Sequence, residues 1–269
     1  MRLLILLSLM AVSHRACAAI SAKEWHHTTI HGHPIYYAVL GHGAPRLLLH
    51  GGGESGEQSF ARQIAAFARH HLVVVPDQMG QGRTPDVKGA LTYTAMTEDT
   101  AALLEQLKLS HVDVVGFSDG GILALMLAAY HPELVRRLVV SGVNITPNGM
   151  NADDLEDLSA TQSLNPRTID EKLARLWYTS PTTSELSVAI LTTIKQPVLV
   201  ISGDRDAIRL EHTLKIFHAL PDAELCVLPD TDHGTFAERP EWLNPIIATF
   251  LNGRQRAIDV EDGDLGGDP

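Results

Sequence analysis

Little in this chain could cross-link it: two cysteines, Cys17 and Cys226, occur in 269 residues. Cys226 sits in the apolar run Leu225-Cys226-Val227-Leu228 and reads as a core residue rather than a reactive thiol. Positive charge is also scarce, with 21 Lys and Arg against 32 Asp and Glu, and a net charge of −11. No basic patch stands out, so a nucleic acid is not an expected partner. The acidic balance argues for solubility. No internal repeat is apparent. The length suits one large domain, or one domain with an insertion. The 45% hydrophobic content is enough for a full core.

A long apolar run is missing too. Arg2 is followed by an apolar stretch from Leu3 to Val12, well short of the roughly 20 residues that span a bilayer. Ala16-Cys17-Ala18 then places small residues where a signal peptidase needs them. Residues 1–18 are therefore expected to be a cleavable secretory signal, with Ala19 an alternative end. His14-Arg15-Ala16 lacks the residues of a lipid-attachment box. The expected location is secreted or periplasmic, with no stable membrane insertion once the signal is gone. Cleavage would remove Cys17, leaving no partner for an intramolecular disulfide.

Beyond the signal the chain becomes periodic. Trp25 to Ile30 and Ile35 to Leu40 flank a His31-Gly32-His33-Pro34 turn and read as an antiparallel hairpin. His26, His27, His31 and His33 read as a solvated hairpin surface rather than a metal site. Short continuous apolar runs follow at Arg46–Leu49, Leu72–Val75, Val112–Val115, Leu138–Ser141, Val198–Ser202 and Leu225–Leu228. Helical stretches separate or follow them, at about Ser59–Ala68, Met96–Leu109, Ile122–Tyr130, Leu210–Ala219 and Trp242–Leu251. Buried strands alternating with helices predict an α/β fold with a mostly parallel sheet covered on both faces. One connection breaks the rhythm. Residues 145–195 contain no strand-like run but several short helical pieces and the pair Trp177-Tyr178. They read as a helical cap folded over the sheet's end and supplying the substrate pocket, with Trp177 a candidate substrate contact. The predicted core is then 19–144 and 196–252. The glycine-rich acidic tail, 253–269, reads as disordered.

The chemistry centres on Gly116-Phe117-Ser118-Asp119-Gly120, between the run Val112–Val115 and the wholly apolar stretch Ile122–Ala129. A buried strand, a very tight turn and a buried helix would raise Ser118 at the mouth of the sheet, beside a helix N-terminus. Small residues at 116 and 120 suit the sharp reversal. This is the G-x-S-x-G nucleophile-elbow pattern. A serine hydroxyl needs a base, and the base needs a carboxylate to orient it. Both occur downstream, each just beyond a strand: Gly203-Asp204-Arg205-Asp206 and Asp230-Thr231-Asp232-His233-Gly234. In a parallel sheet these exits share the elbow's edge, where ligands bind. His233 is the predicted base, and Asp206 or Asp204 the acid. Leu47-Leu48-Leu49-His50-Gly51-Gly52-Gly53 is a strand entering a glycine loop, whose amides can approach a substrate oxygen. The predicted oxyanion donors are the N–H groups of Gly52 and Asp119. His50 precedes the serine, and its expected task is to hold this loop.

These motifs resemble the α/β-hydrolase superfamily, in the group with a short His-Gly oxyanion loop and a helical cap. The likeness runs from the hairpin near Trp25 to the helix near Leu251. It includes Pro76-Asp77-Gln78-Met79-Gly80-Gln81-Gly82-Arg83-Thr84, with Gln81 where histidine is frequent in the family, and Asp232-His233-Gly234-Thr235-Phe236. The resemblance implies the α/β-hydrolase fold, the order Ser, Asp, His, and Asp206 as the acid, because the family favours a G-x-x-D turn there. The Ser118-Asp119-Gly120-Gly121 form is similar to valacyclovir-hydrolase-like esterases, which associate this aspartate with a substrate amino group. Asp119 is thus a candidate substrate-binding residue, against the plainer reading that it caps the helix it begins.

The expected function is hydrolysis of a small carboxylic ester through an acyl-enzyme on Ser118, with no metal and no cofactor. Carbon–carbon bond hydrolases and cofactor-free peroxidases of the same fold use the same three residues and remain alternatives. A more remote one is dinucleotide-dependent oxidoreduction. Gly51-Gly52-Gly53-Glu54-Ser55-Gly56 matches G-x-G-x-x-G after a strand, with Asp77 where a ribose-binding acid would stand. A non-catalytic ligand receptor on the same scaffold is the last.

Overall fold

The computed structural model describes residues 24–161 and 163–253. The expected signal and nearly all of the acidic tail lie outside the described residues. Eight strands form one sheet in the order β1-β2-β4-β3-β5-β6-β7-β8. They are β1 (Trp25–Ile30), β2 (His33–Leu40), β3 (Ala44–Leu49), β4 (His71–Pro76), β5 (Val112–Phe117), β6 (Val135–Ser141), β7 (Val198–Gly203) and β8 (Ala223–Leu228). β1 and β2 pair antiparallel at one edge, and β2 pairs antiparallel with β4. Every other pairing is parallel.

Continuous apolar runs work here because neighbouring residues enter different cores. Leu47, Leu49, Val74, Val114, Leu138 and Val140 belong to one cluster; Leu48, Val73, Val75, Val115 and Val139 belong to the other. These central runs are buried on both faces, so they show no polar alternation. Cys226 departs from the expectation: it is half-buried, because β8 is an edge strand covered less completely.

Ten helices lie among the described residues: α1 (Gly56–Ser59), α2 (Ile64–Phe67), α3 (Tyr93–Gln106), α4 (Asp119–Tyr130), α5 (Ala152–Thr161), α6 (Ile169–Thr179), α7 (Val188–Leu191), α8 (Leu210–Ala219), α9 (Thr235–Glu238) and α10 (Pro240–Asn252). The single helix expected over Ser59–Ala68 is two short ones. Ser55 and Gln58 make a reciprocal capping box that starts α1 early. The chain then turns so that Phe60 packs on Phe236, while the Gln63 side chain donates to the Phe236 carbonyl and to Asn244. α3 begins three residues before the predicted start, because the Thr92 side chain accepts from the Ala95 N–H. Between β6 and β7 the chain carries α5, α6 and α7, with a 3-10 turn at Pro147–Gly149.

The hairpin histidines are largely exposed, as expected, but two of them also anchor the hairpin. His31 Nδ1 and His33 Nε2 each hydrogen-bond one oxygen of Asp99 on α3, both at 2.8 Å. His27 stacks on Tyr36. The hairpin is thereby tied to a helix it could not reach through β-pairing.

Candidate active site

Ser118 joins β5 to α4 with φ 51° and ψ −117°. That conformation is sparsely populated for a non-glycine residue, and its surroundings hold it. The Ser118 N–H donates to the Ser141 carbonyl at 2.8 Å, and its own carbonyl accepts from Gly121 and Ile122. A Cβ on Gly116 would stand 2.3 Å from the Gly120 carbonyl oxygen, so the turn itself excludes it. One on Gly120 would stand 2.0 Å from the carbonyl oxygen of Leu49, on the neighbouring strand. The second glycine of the elbow therefore answers to sheet packing as well as to the turn.

The Ser118 Oγ lies 3.0 Å from His233 Nε2, and His233 Nδ1 lies 2.6 Å from Asp206 Oδ1. Carboxylate contact at Nδ1 fixes the proton there and leaves Nε2 as the acceptor for the serine hydroxyl. Asp206 Oδ1 also accepts the Ile208 N–H at 2.9 Å, and the Asp206 side chain is 1% exposed. Burial pulls the His233 pKa down, but the Asp206 charge and hydrogen bond, helped by Glu54 and Asp232, outweigh it and hold the imidazole above its ordinary value. Asp204 is placed elsewhere. Its Oδ1 accepts the Thr231 N–H at 3.1 Å, bracing the turn after β7. The Asp232 carboxylate turns to the Gly234 N–H at 2.7 Å.

The loop after β3 is pinned on either side of the Gly52 amide. Gly51 N–H donates to Ser59 Oγ at 3.1 Å, and Gly53 N–H donates to Gln81 Oε1 at 2.7 Å. His50 Nδ1 donates to the Gly51 carbonyl at 2.7 Å, and its Nε2 accepts the Gln78 N–H at 2.8 Å. That ring is buried, and burial lowers its pKa, so it serves as a neutral bridge. Among the described residues neither the Gly52 nor the Asp119 N–H has an acceptor. Gln81, the departure from the family pattern, thus has a definite task.

Asp119 lines the cavity, as a substrate-binding residue would, and its side-chain bonds run to other elements rather than to the start of its own helix. It accepts the Tyr93 hydroxyl at 2.8 Å and the Trp177 indole N–H at 2.9 and 3.1 Å. Burial raises its pKa, while the Trp177 and Tyr93 donors oppose the rise. Trp177 stands on α6, which is tethered further along by Lys172 Nζ bonded to Asp86 at 2.8 and 2.9 Å.

Ser118, Asp119, His233, Gly52 and Trp177 all face one cavity of about 140 Å³. Met150, Leu158, Leu173, Ala174 and Ile208 supply much of its apolar wall. Glu54, Asp119 and Asp170 also line it, with no lysine or arginine among the described residues. Two of the residues that matter here were not singled out from sequence. Tyr93 lay ahead of the helix predicted from Met96 and carried no signal of its own. Glu54 lay in view inside the glycine loop. Its carboxylate takes a hydrogen bond from Ser59 Oγ, and burial raises its pKa.

The dinucleotide pattern dissolves in this geometry. Asp77 spends its carboxylate internally, accepting from the Gly56 N–H at 2.9 Å and the Arg83 N–H at 2.8 Å. The helix after the glycines, α1, has four residues. The loop faces the serine cavity instead.

A family model described as the alpha/beta hydrolase fold matches residues 47–186. The chain is similar to the 2-hydroxymuconate semialdehyde hydrolase of Pseudomonas putida, 29% identical over 256 residues, covering 78% of this chain and 88% of that one. Among solved structures it resembles a bromoperoxidase from Bacillus anthracis, with a TM-score of 0.70, 23% identity, and 85% and 99% of the two chains covered. It also resembles a thermophilic esterase from Thermogutta terrifontis, with a TM-score of 0.69, 21% identity, and 85% and 98% covered. Those two likenesses speak for the fold alone. An eight-stranded, mostly parallel sheet and a matching family model agree, and the chain belongs to the alpha/beta hydrolase family.

Proposed function

We propose that this protein is a serine hydrolase that cleaves small carboxylic esters through an acyl-enzyme on Ser118. The observation that carries the reading is the hydrogen-bonded chain Ser118–His233–Asp206, at 3.0 and 2.6 Å, opening into a cavity that holds two unpaired amides. His233 Nε2 takes the hydroxyl proton as Ser118 Oγ attacks the ester carbonyl. The carbonyl oxygen gains negative charge and receives the N–H groups of Gly52 and Asp119, which need no rearrangement to meet it. The imidazolium, stabilised by Asp206, returns its proton to the leaving alcohol as the carbon–oxygen bond breaks. Water then enters, gives a proton to His233 and attacks the acyl-enzyme. Collapse of the second tetrahedral species releases the acid and restores Ser118.

The charge of the cavity favours this chemistry over carbon–carbon bond hydrolysis. A muconate semialdehyde, named for the Pseudomonas relative, carries a carboxylate. The cavity's carboxylate lining is Glu54, Asp119 and Asp170, and among the described residues its one basic group is His233, whose Nδ1 is already taken up by Asp206. Like charge in a partly desolvated site discriminates strongly. Neutral or cationic esters are the substrates that fit.

The test is a panel of p-nitrophenyl or aryl esters with neutral, amino-bearing and carboxylate-bearing acyl groups. Turnover should vanish in Ser118→Ala and be weakest for the carboxylate-bearing ester. Turnover that persists in Ser118→Ala would sink the mechanism. A preference for the anionic ester would overturn the substrate class.

A further inference from the structure

Two oxyanion amides have to point at one oxygen, yet they come from separate pieces of chain. Gly52 follows β3, and Asp119 opens α4. Trp177, on the inserted helix α6, touches both. Its Cζ2 lies 2.6 Å from where a Gly52 Cβ would stand, so the indole packs directly on that glycine. Its Nε1 donates to both carboxylate oxygens of Asp119. Tyr93 grips the same carboxylate from the core side, at Oδ1. Asp119 Oδ2 would itself be 2.3 Å from a Gly52 Cβ. Glycine is thus required at 52 for this close approach.

From this juxtaposition we propose that Trp177 is a positioning residue that locks the two oxyanion amides into one orientation, with the Asp119 side chain as its handle. The proposal rests on the assignment of Gly52 and Asp119 as oxyanion donors made above. The carboxylate and the amide belong to the same residue. Pinning the side chain between Tyr93 and Trp177 therefore restricts rotation of the Asp119 peptide and keeps its N–H aimed into the cavity. The ring on Gly52 does the same for the other donor by contact. Donors held in place before reaction stabilise the transition state most, because no reorganisation accompanies charge development. Since Trp177 belongs to α6, which Lys172 ties to Asp86, the oxyanion site is complete only while that helix is seated.

A Trp in the pocket could instead simply contact substrate, and the two roles separate in kinetics. A positioning role acts on kcat; a substrate contact acts on KM. Trp177→Phe keeps an aromatic ring and removes the N–H. It should lower kcat about tenfold to a hundredfold, less than loss of a donor outright, with KM within about twofold. Asp119→Ala removes the handle but keeps the backbone N–H. In that background Trp177→Phe should cost much less in kcat than in the unaltered protein, leaving only what the Gly52 contact carries, a double-mutant cycle with strong coupling. Tyr93→Phe should behave as Trp177→Phe does, and it takes that variant's place in the cycle if Trp177→Phe fails to fold. A boronic acid that forms a tetrahedral adduct on Ser118 should bind more weakly to Trp177→Phe, by a factor similar to the loss in kcat. Equal losses in both backgrounds, or a rise in KM with kcat unchanged, would overturn the proposal. Ser118→Ala, run alongside, separates the two layers. If it is inactive while the cycle is additive, the positioning role alone fails. If it stays active, the serine mechanism falls and the oxyanion role with it.

Discussion

Replacing Asp206 with asparagine removes one charge from the site and leaves its shape almost intact. Two donors converge on Asp206 Oδ1: His233 Nδ1 at 2.6 Å and the Ile208 N–H at 2.9 Å. The other oxygen, Oδ2, faces Ser202 Oγ at 3.4 Å, a hydroxyl that could equally accept. An asparagine therefore settles with its oxygen toward His233 and its amide toward Ser202, and the correct imidazole tautomer survives. What disappears is the attraction between the carboxylate and the imidazolium that forms in the transition state. Two unit charges about 4 Å apart at an effective dielectric near 20 interact by about 4 kcal/mol. That corresponds to about a thousandfold in rate, with KM little changed because the ground state has a neutral imidazole. The assay is initial-rate turnover of a short-chain p-nitrophenyl ester, with active sites counted by burst titration. Asp204→Asn is the matched control, since Asp204 braces the turn through Thr231 and should cost less than about threefold. A loss below tenfold in Asp206→Asn would refute the charge argument. A larger loss in Asp204→Asn would exchange the two roles.

Two further outcomes follow from titrating groups. His233 must be neutral to accept the serine proton, and its pKa lies above the ordinary histidine value. Activity should be full at alkaline pH and fall as pH drops through that raised value, so the acid limb of kcat/KM should have its midpoint above about 6.5. A midpoint lower than this would contradict the pull of Asp206. His212 behaves in the opposite sense. Its Nε2 accepts the Ile145 N–H at 3.0 Å, and burial, with Lys215 and Arg209 nearby, lowers its pKa to about 4. The unfolded chain takes up this proton near pH 6.5 and the folded chain resists it until about pH 4. Stability should therefore fall across that window, by about 2 kcal/mol once solvent screening is allowed for. Urea titrations at pH 7 and pH 4.5 should show a smaller difference for His212→Gln than for the unaltered protein; identical differences would remove His212 from the account.

Much of the framework was legible because its causes are local. Each inner parallel strand carries a short apolar run, since burial on both faces erases alternation. The elbow announces itself by glycines that no Cβ could replace. Helix ends were harder to read, as the divided segment from Gly56 to Phe67 illustrates: Phe60 and Gln63 were drawn toward α9 and α10, which lie far along the chain. Cys226 looked like core because apolar neighbours do not reveal that a strand is an edge.

By itself, then, the sequence determined the α/β layering, the serine at a strand-to-helix turn, and a histidine and two aspartates at strand exits on the same edge. Period, turn chemistry and chain order specify these without knowledge of packing. Tertiary structure decided which aspartate meets His233, because Asp204 and Asp206 differ only in the direction the turn after β7 gives each side chain. It also decided what the Asp119 carboxylate bonds to. Its partners, Tyr93 and Trp177, stand 26 and 58 residues away in the chain, and only the seating of α3 and α6 over the sheet brings their donors to one carboxylate.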